Sequence, residues 1–240
     1  MARAAETRAT SNALKGAAKP GPKPALSVEK VAQAAIRIAD RNGIASLSME
    51  RVARQVHVST MALYRYFETK DQLIEAMIGA AGGPAPDLNG PAREWRSRLA
   101  EWTRRCTAIY TGHPWFAEAT ARRRIMGPHE LLWLEAALAI LRDAGLPHHD
   151  QWRAFLVLIG HVRSSAEFSF AGKRGVSARQ WAQATGNVLR EAPGRYPALA
   201  AVIASGAFDD RFSDGAGFGL ECILDGIESL VRKRRSKDQR

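Results

Sequence analysis

From Leu26 onward, apolar residues recur at three- and four-residue spacing almost to the end of the chain. No series of alternating polar and apolar segments interrupts them, and no repeat of about 20–50 residues is evident. The pattern predicts an all-α protein. Val31, Ala34, Ala35, Ile38 and Ala39 form the stripe of a first helix, with Ser27 as its N-cap, Glu29 in its first turn and Asn42-Gly43 as its stop. Ser48 caps a second helix, Met49 to about Gln55, and Ser59 caps a third, Thr60 to Phe67, after a tight turn at Val56-His57-Val58. Thr69 opens a fourth, to about Ile78, with Gln72 completing a capping-box pattern.

Gly and Pro cluster from Gly79 to Pro91, a candidate boundary. Beyond it the spacing predicts helices over about Pro91–Tyr110, Pro128–Ala144, Pro147–Gly172, 177–191, 196–204 and Gly217–Arg232. The organisation expected is a disordered tail at 1–24, a small helical domain at 25–78, a larger one at 79–232 and a second tail at 233–240.

Two short helices joined by a turn of this length form a helix-turn-helix, whose second helix enters the major groove of DNA. In the third helix Leu63 and Phe67 share an inward face, leaving Thr60, Met61, Tyr64, Arg65 and Tyr66 outward. Hydroxyls, a guanidinium and aromatic edges suit base edges, thymine methyls and phosphates. Packing of the two tyrosines between helices is the plainer alternative.

The chain has 240 residues and a net charge of +11, which invites an acidic partner. Most of the excess lies in the tails: residues 1–24 carry +4 and 232–240 carry +5, while 25–78 and 79–231 carry +1 each. The first tail, rich in Pro, Gly and Lys, cannot bury enough apolar surface to order itself. Cys106 and Cys222 fit neither a zinc site nor a disulfide framework, so a reducing compartment is expected. No apolar run reaches the ~18–20 residues of a membrane span, and residues 1–24 carry no hydrophobic leader. The expectation is a cytoplasmic protein without a membrane partner, metal or cofactor.

The stretch Leu47-Ser-Met-Glu-Arg-Val-Ala-Arg-Gln-Val-His-Val-Ser-Thr-Met-Ala-Leu-Tyr-Arg-Tyr-Phe-Glu-Thr-Lys-Asp-Gln-Leu73 resembles the N-terminal DNA-binding domain of the TetR family of transcriptional regulators. It holds the Val-Ser turn, the Leu-Tyr-x-x-Phe recognition helix and the Lys-x-x-Leu start of the fourth helix. The resemblance implies that Ser48 touches phosphate and that Ser59, Thr60, Met61, Ala62, Tyr64 and Arg65 lie at the groove. It implies that Tyr64 and Tyr66 reach the backbone and that Lys70 pairs with a phosphate. His57 departs from the pattern, standing where the family usually has glycine in the turn. Glu50 would repel phosphate if it pointed outward; turning to Arg51 or Arg54 is its other course.

The segment from His129 to Phe170, through Leu138-Ala-Ile-Leu-Arg-Asp-Ala-Gly-Leu-Pro147 and Trp152-Arg-Ala-Phe155, resembles the C-terminal domain of the tetracycline-repressor-type branch. The resemblance implies a homodimer joined through the helix after Pro147 and the last helix, whose stripe is Leu220, Ile223, Leu224, Ile227 and Leu230. It also implies a small-molecule effector, largely apolar. Candidate lining residues are Trp102, Cys106, Trp115, Phe116, Met126, Trp133, Phe155, Ile159, His161 and Arg163. For Arg163 a pair with Glu167 is the plainer reading, and for His161 a satisfied interface histidine.

Catalysis finds little support. Cys106 and His113 lack a third partner, no phosphate loop or G-x-S-x-G is present, and His148-His149-Asp150 reads as a solvated helix start. The function expected is therefore a DNA-binding regulator, most simply a repressor released from a double-stranded operator by its effector. The rival is a dimeric helical ligand-binding or structural protein without specific DNA binding.

Overall fold

The computed structural model describes residues 26–121, 125–174, 177–192, 194–208 and 215–238. The N-terminal tail at 1–24 lies outside the described residues. All regular structure described is helical: α1 Val28–Asn42, α2 Met49–Gln55, α3 Thr60–Tyr64, α4 Lys70–Gly82, α5 Trp95–Gly112, α6 Trp115–Ala121, α7 Pro128–Asp143, α8 His148–Arg174, α9 Ala178–Glu191, α10 Pro197–Ala204 and α11 Gly215–Asp238. Among the described residues no helix is long and apolar enough to cross a membrane.

Hydroxyl caps open the first four helices as expected. Ser27 accepts from the Lys30 N–H, Ser48 from Arg51, Ser59 from Ala62 and Thr69 from Gln72, each satisfying an otherwise orphaned helix-end donor. The box at α4 is displaced by one residue: the Gln72 Oε1 accepts the Glu68 N–H at 2.7 Å, not that of Thr69. Gly43, at φ +78°, ends α1 by donating to the Ala39 carbonyl.

Four boundaries differ from the sequence expectation. α3 ends at Tyr64 rather than Phe67, because the Tyr66 and Phe67 N–H groups both turn onto the Leu63 carbonyl and close the helix tightly. α4 runs a turn beyond Ile78, straight through Gly79 and on to Gly82. A Cβ at Gly79 would stand 2.8 Å from the His129 ring, so this glycine permits a close helix approach instead of breaking the helix. A 3-10 turn, Ala92–Glu94, precedes α5, which therefore begins at Trp95. α11 continues to Asp238, so residues 233–238 of the expected basic tail are helical, with Val231 buried and Arg234 paired to Asp150 at 2.8 Å.

α1, α2, α3 and the first part of α4 bury Val31, Ala35, Val52, Leu63, Phe67 and Leu73 together. α5, α7, α8 and α11 bury Leu99, Trp102, Ile140, Leu141, Leu158 and Leu224. α4 touches α1 on one side and α5, α6 and α7 on the other, so it is the beam shared by both clusters. Arg98 pins the segment between α4 and α5: it donates to the Leu88 and Gly90 carbonyls at 2.6 and 3.0 Å and pairs with Asp143 at 3.0 Å. The sequence had not singled out this nearly buried charge.

Candidate functional site

The turn before α3 is set by one residue. His57 adopts φ +58°, the left-handed region in which glycine is at ease and histidine tolerable. The turn lets Leu63 and Phe67 pack inward while Ser59, Met61, Tyr64, Arg65, Tyr66 and Lys70 stand exposed; Thr60 and Ala62 are half-buried. Met61 is 75% exposed, a large apolar side chain in open solvent at the tip of the head. Ser48 is exposed and already engaged as the α2 cap. Tyr66 is tied down by its own chain, its hydroxyl donating to the Leu26 carbonyl at 3.0 Å. Arg51 bonds Asn42 at 2.6 Å and the Ser46 carbonyl at 3.4 Å, so Glu50 does not orient it.

Behind the head, a cavity of about 170 Å³ opens among five helices. α4 contributes Ile78 and Gly82; α5 contributes Trp102, Cys106, Ile109 and Tyr110. Phe116 and Thr120 come from α6, His129, Glu130, Trp133 and Leu134 from α7, and Phe155, Ile159 and Arg163 from α8, with Met126 between α6 and α7. Trp102 meets Trp133 and Phe155 edge to face, with centroids at 6.3 and 6.1 Å. The Trp102 N–H donates to the Trp133 carbonyl at 3.0 Å. The Thr120 hydroxyl donates to the Phe116 carbonyl at 2.8 Å, so the Tyr110 hydroxyl, 3.2 Å away, is the donor between them. Burial pushes the Cys106 thiol up to about 12 in spite of the nearby Arg163 charge.

Eight of the ten residues expected around an effector therefore face this cavity, and two do not. Trp115 is buried against the head, donating its N–H to Asp40 at 2.7 Å. His161 turns to α11, with Nε2 at 3.0 Å from the Ala216 carbonyl and its ring against Gly219. Arg163 donates to the Thr120 carbonyl at 3.0 Å rather than to Glu167. Sequence reasoning missed Ile78, assigned to a helix end, Gly82, assigned to the boundary after it, and Tyr110 and Thr120, which only the packing of α5 on α6 brings together.

The Asp40 carboxylate of α1 also lies 2.8 Å from His113 Nδ1, so one acidic side chain holds the head to the start of α6. A carboxylate only accepts, which fixes the His113 proton on Nδ1. In Asp40→Ala the buried Trp115 N–H loses its acceptor, at a cost of about 1–3 kcal/mol or roughly 2–12 °C in Tm for a chain of this size. Thermal unfolding at fixed protein concentration reads it, and an unchanged Tm would mean that the contact stabilises nothing.

The Asp150 carboxylate of the His148-His149-Asp150 run faces Arg234 and Arg153. On α11, Leu224 and Ile227 of the expected dimer stripe are buried in the chain's own core. Phe218 and Leu230 on α11 and Trp152, Leu156 and Val157 on α8 are exposed.

Two family models cover most of the chain. Residues 26–77 match "Bacterial regulatory proteins, tetR family" and residues 86–231 match "Tetracyclin repressor-like, C-terminal domain". The HTH-type transcriptional repressor DrrR1 of Streptomyces coeruleorubidus is 35% identical over 227 residues, covering 90% of this chain and 83% of that protein. An HTH-type transcriptional regulator of Saccharopolyspora erythraea is 28% identical over 184 residues, covering 74% of this chain and 75% of its own. Among solved structures, apo ActR of Streptomyces coelicolor superposes with a TM-score of 0.71 at 22% identity, over 86% of this chain and 98% of that one. ActR has also been solved in complex with actinorhodin, and that structure matches with a TM-score of 0.69 at 22% identity, over 86% of this chain and 99% of the other.

Proposed function

Because the chain belongs to the TetR family of transcriptional regulators, we propose that it is a homodimeric repressor released from its operator by a small molecule. Residues 25–78 form the DNA-binding head, and residues from 79 through the last helix bind effector and join the protomers. Ser48, Ser59, Thr60, Met61, Ala62, Tyr64, Arg65, Tyr66 and Lys70 meet the operator. The cavity among α4–α8 receives the effector. The chain is not a catalyst, and it works in the cytoplasm, where its DNA lies.

One observation carries this reading. α4 starts at Lys70, beside the recognition helix, and contributes Ile78 and Gly82 to the cavity wall. Its flank is in close contact with α7 and the residues before it: a Cβ at Gly79 would meet the His129 ring at 2.8 Å, and one at Gly127 would meet the Glu75 carboxylate at 2.7 Å. Segments that leave no room for even a methyl group between them do not move independently. An occupant that displaces α7 or Ile78 therefore displaces α4, and with it the spacing of the two recognition helices in a dimer. Release follows if the occupant favours the spacing that does not fit DNA.

Dimerisation uses the exposed apolar face of α8 with Phe218 and Leu230 of α11. It supplies the two-fold symmetry that a divided operator requires. The test is selection of bound fragments from total genomic DNA by the purified protein. The expected product is a divided site with half-site centres about one or more helical turns apart. The protein should sediment at twice its 26.2 kDa chain mass. An empty selection would favour the rival reading, a helical dimer without specific DNA binding.

A further inference from the structure

Arg163 is the charged group of the cavity whose bonding is least complete. It lies on α8, half-buried, and its guanidinium spends one Nη2–H on the Thr120 carbonyl. Its Nε is buried with no hydrogen-bond partner, and among the described residues no carboxylate pairs with it. A guanidinium stays charged and presents five donors in a fixed plane. Holding it beside Trp102, Cys106 and Phe155 is unfavourable unless something accepts from it.

The groups around it do not supply that acceptor. Burial keeps the Cys106 thiol protonated at neutral pH. Glu130, the carboxylate on the same wall, turns to the start of α7, where Oε2 accepts the Gly127 N–H at 3.3 Å. The Tyr110 hydroxyl and the Trp102 N–H are both engaged within the wall. Apart from His129 the remaining surface is mostly aromatic and apolar, with Trp102 set edge to face against Trp133 and against Phe155. Arg163 is thus the cavity's permanent charge, with a buried donor left unmet.

We propose that the effector is a flat aromatic acid whose carboxylate, or a comparable oxyanion, docks on Arg163 while its rings lie among Trp102, Trp133 and Phe155. This rests on the reading of the cavity as the effector site. The acid accepts from the guanidinium, and the pair gains from a setting that excludes water. A neutral amide of the same shape can accept one of these hydrogen bonds but leaves the charge uncompensated.

The experiment titrates 2-naphthoate and its neutral isostere 2-naphthamide into the full-length protein. Quenching of tryptophan fluorescence and calorimetry report binding to wild type, Arg163→Met and Arg163→Lys. Wild type is expected to prefer the acid by about tenfold to a hundredfold, the size of one charge-assisted hydrogen bond. Arg163→Met should lose the preference while still binding the amide, and Arg163→Lys should keep part of it. A wild-type far-ultraviolet circular dichroism spectrum and cooperative thermal unfolding establish that each variant is folded. Equal binding of acid and amide to wild type, or a preference unchanged in Arg163→Met, overturns the proposal and leaves the cavity reading intact. Failure of both compounds to bind overturns the cavity reading, and the proposal with it.

Discussion

The Arg65→Ala/Lys70→Ala protein is expected to bind its operator at least about a hundredfold more weakly than wild type, with its fold unchanged. Both side chains are exposed, and neither forms a contact that the head needs, since Leu63, Phe67 and Leu73 fill the core beneath them. Surface changes of this kind shift stability by about 0.5 kcal/mol or less. On DNA the losses are larger. A base-contacting arginine is worth about 1–3 kcal/mol, and a dimer has two of them. Each phosphate lost lowers the slope of log affinity against log salt by about 0.9, so two copies of Lys70 should lower it by about 2. Titration of labelled operator across a sodium chloride series separates the contributions. Lys70→Ala alone should weaken binding to all sequences alike and flatten the slope, whereas Arg65→Ala should also relax the choice of base. If the double variant keeps wild-type affinity and slope, α3 and the start of α4 are not the DNA-binding surface.

Much of the head was legible because its determinants are local. Ser27, Ser48, Ser59 and Thr69 each cap the helix that follows within three residues, and the spacing of Leu63 and Phe67 settles which face of α3 turns inward. The left-handed turn at His57 was legible only through the resemblance, since the family usually has glycine there. What escaped depends on residues far apart. Gly79 reads as a helix breaker until His129, fifty residues on, is found where a side chain would stand. Trp115 reads as pocket lining until Asp40 is found accepting its N–H. His161 lies on the face of α8 that meets α11, and helical spacing cannot tell that face from the one that meets α5. Arg234 reads as tail because basic runs are commonly solvated, yet it pairs with Asp150 across helices.

Trp102→Ala should cost about 3–5 kcal/mol, the usual range for truncating a fully buried tryptophan. For a chain of this length that is roughly 6–20 °C in Tm. Trp102 is 1% exposed, wedged between Trp133 of α7 and Phe155 of α8, and its N–H is spent on the Trp133 carbonyl. The same ring is a wall of the cavity. Its removal should therefore change two measurements together: the melting temperature at fixed protein concentration, and the affinity for any aromatic ligand, which loses a stacking surface and gains an enlarged void. Core and ligand box are not alternatives at this position. A packed aromatic stripe becomes a binding wall where a neighbouring helix stops short of filling the space behind it. That shortfall depends on where α4 and α7 lie, and their approach is set by Gly79. Periodicity along α5 carries no trace of it, so spacing alone does not separate wall from core, although Trp102 and Cys106 stand among the candidate lining residues. Were Trp102→Ala to leave Tm unchanged, the ring would be supported by ligand contacts rather than by the fold, and the cavity could not be preformed as described.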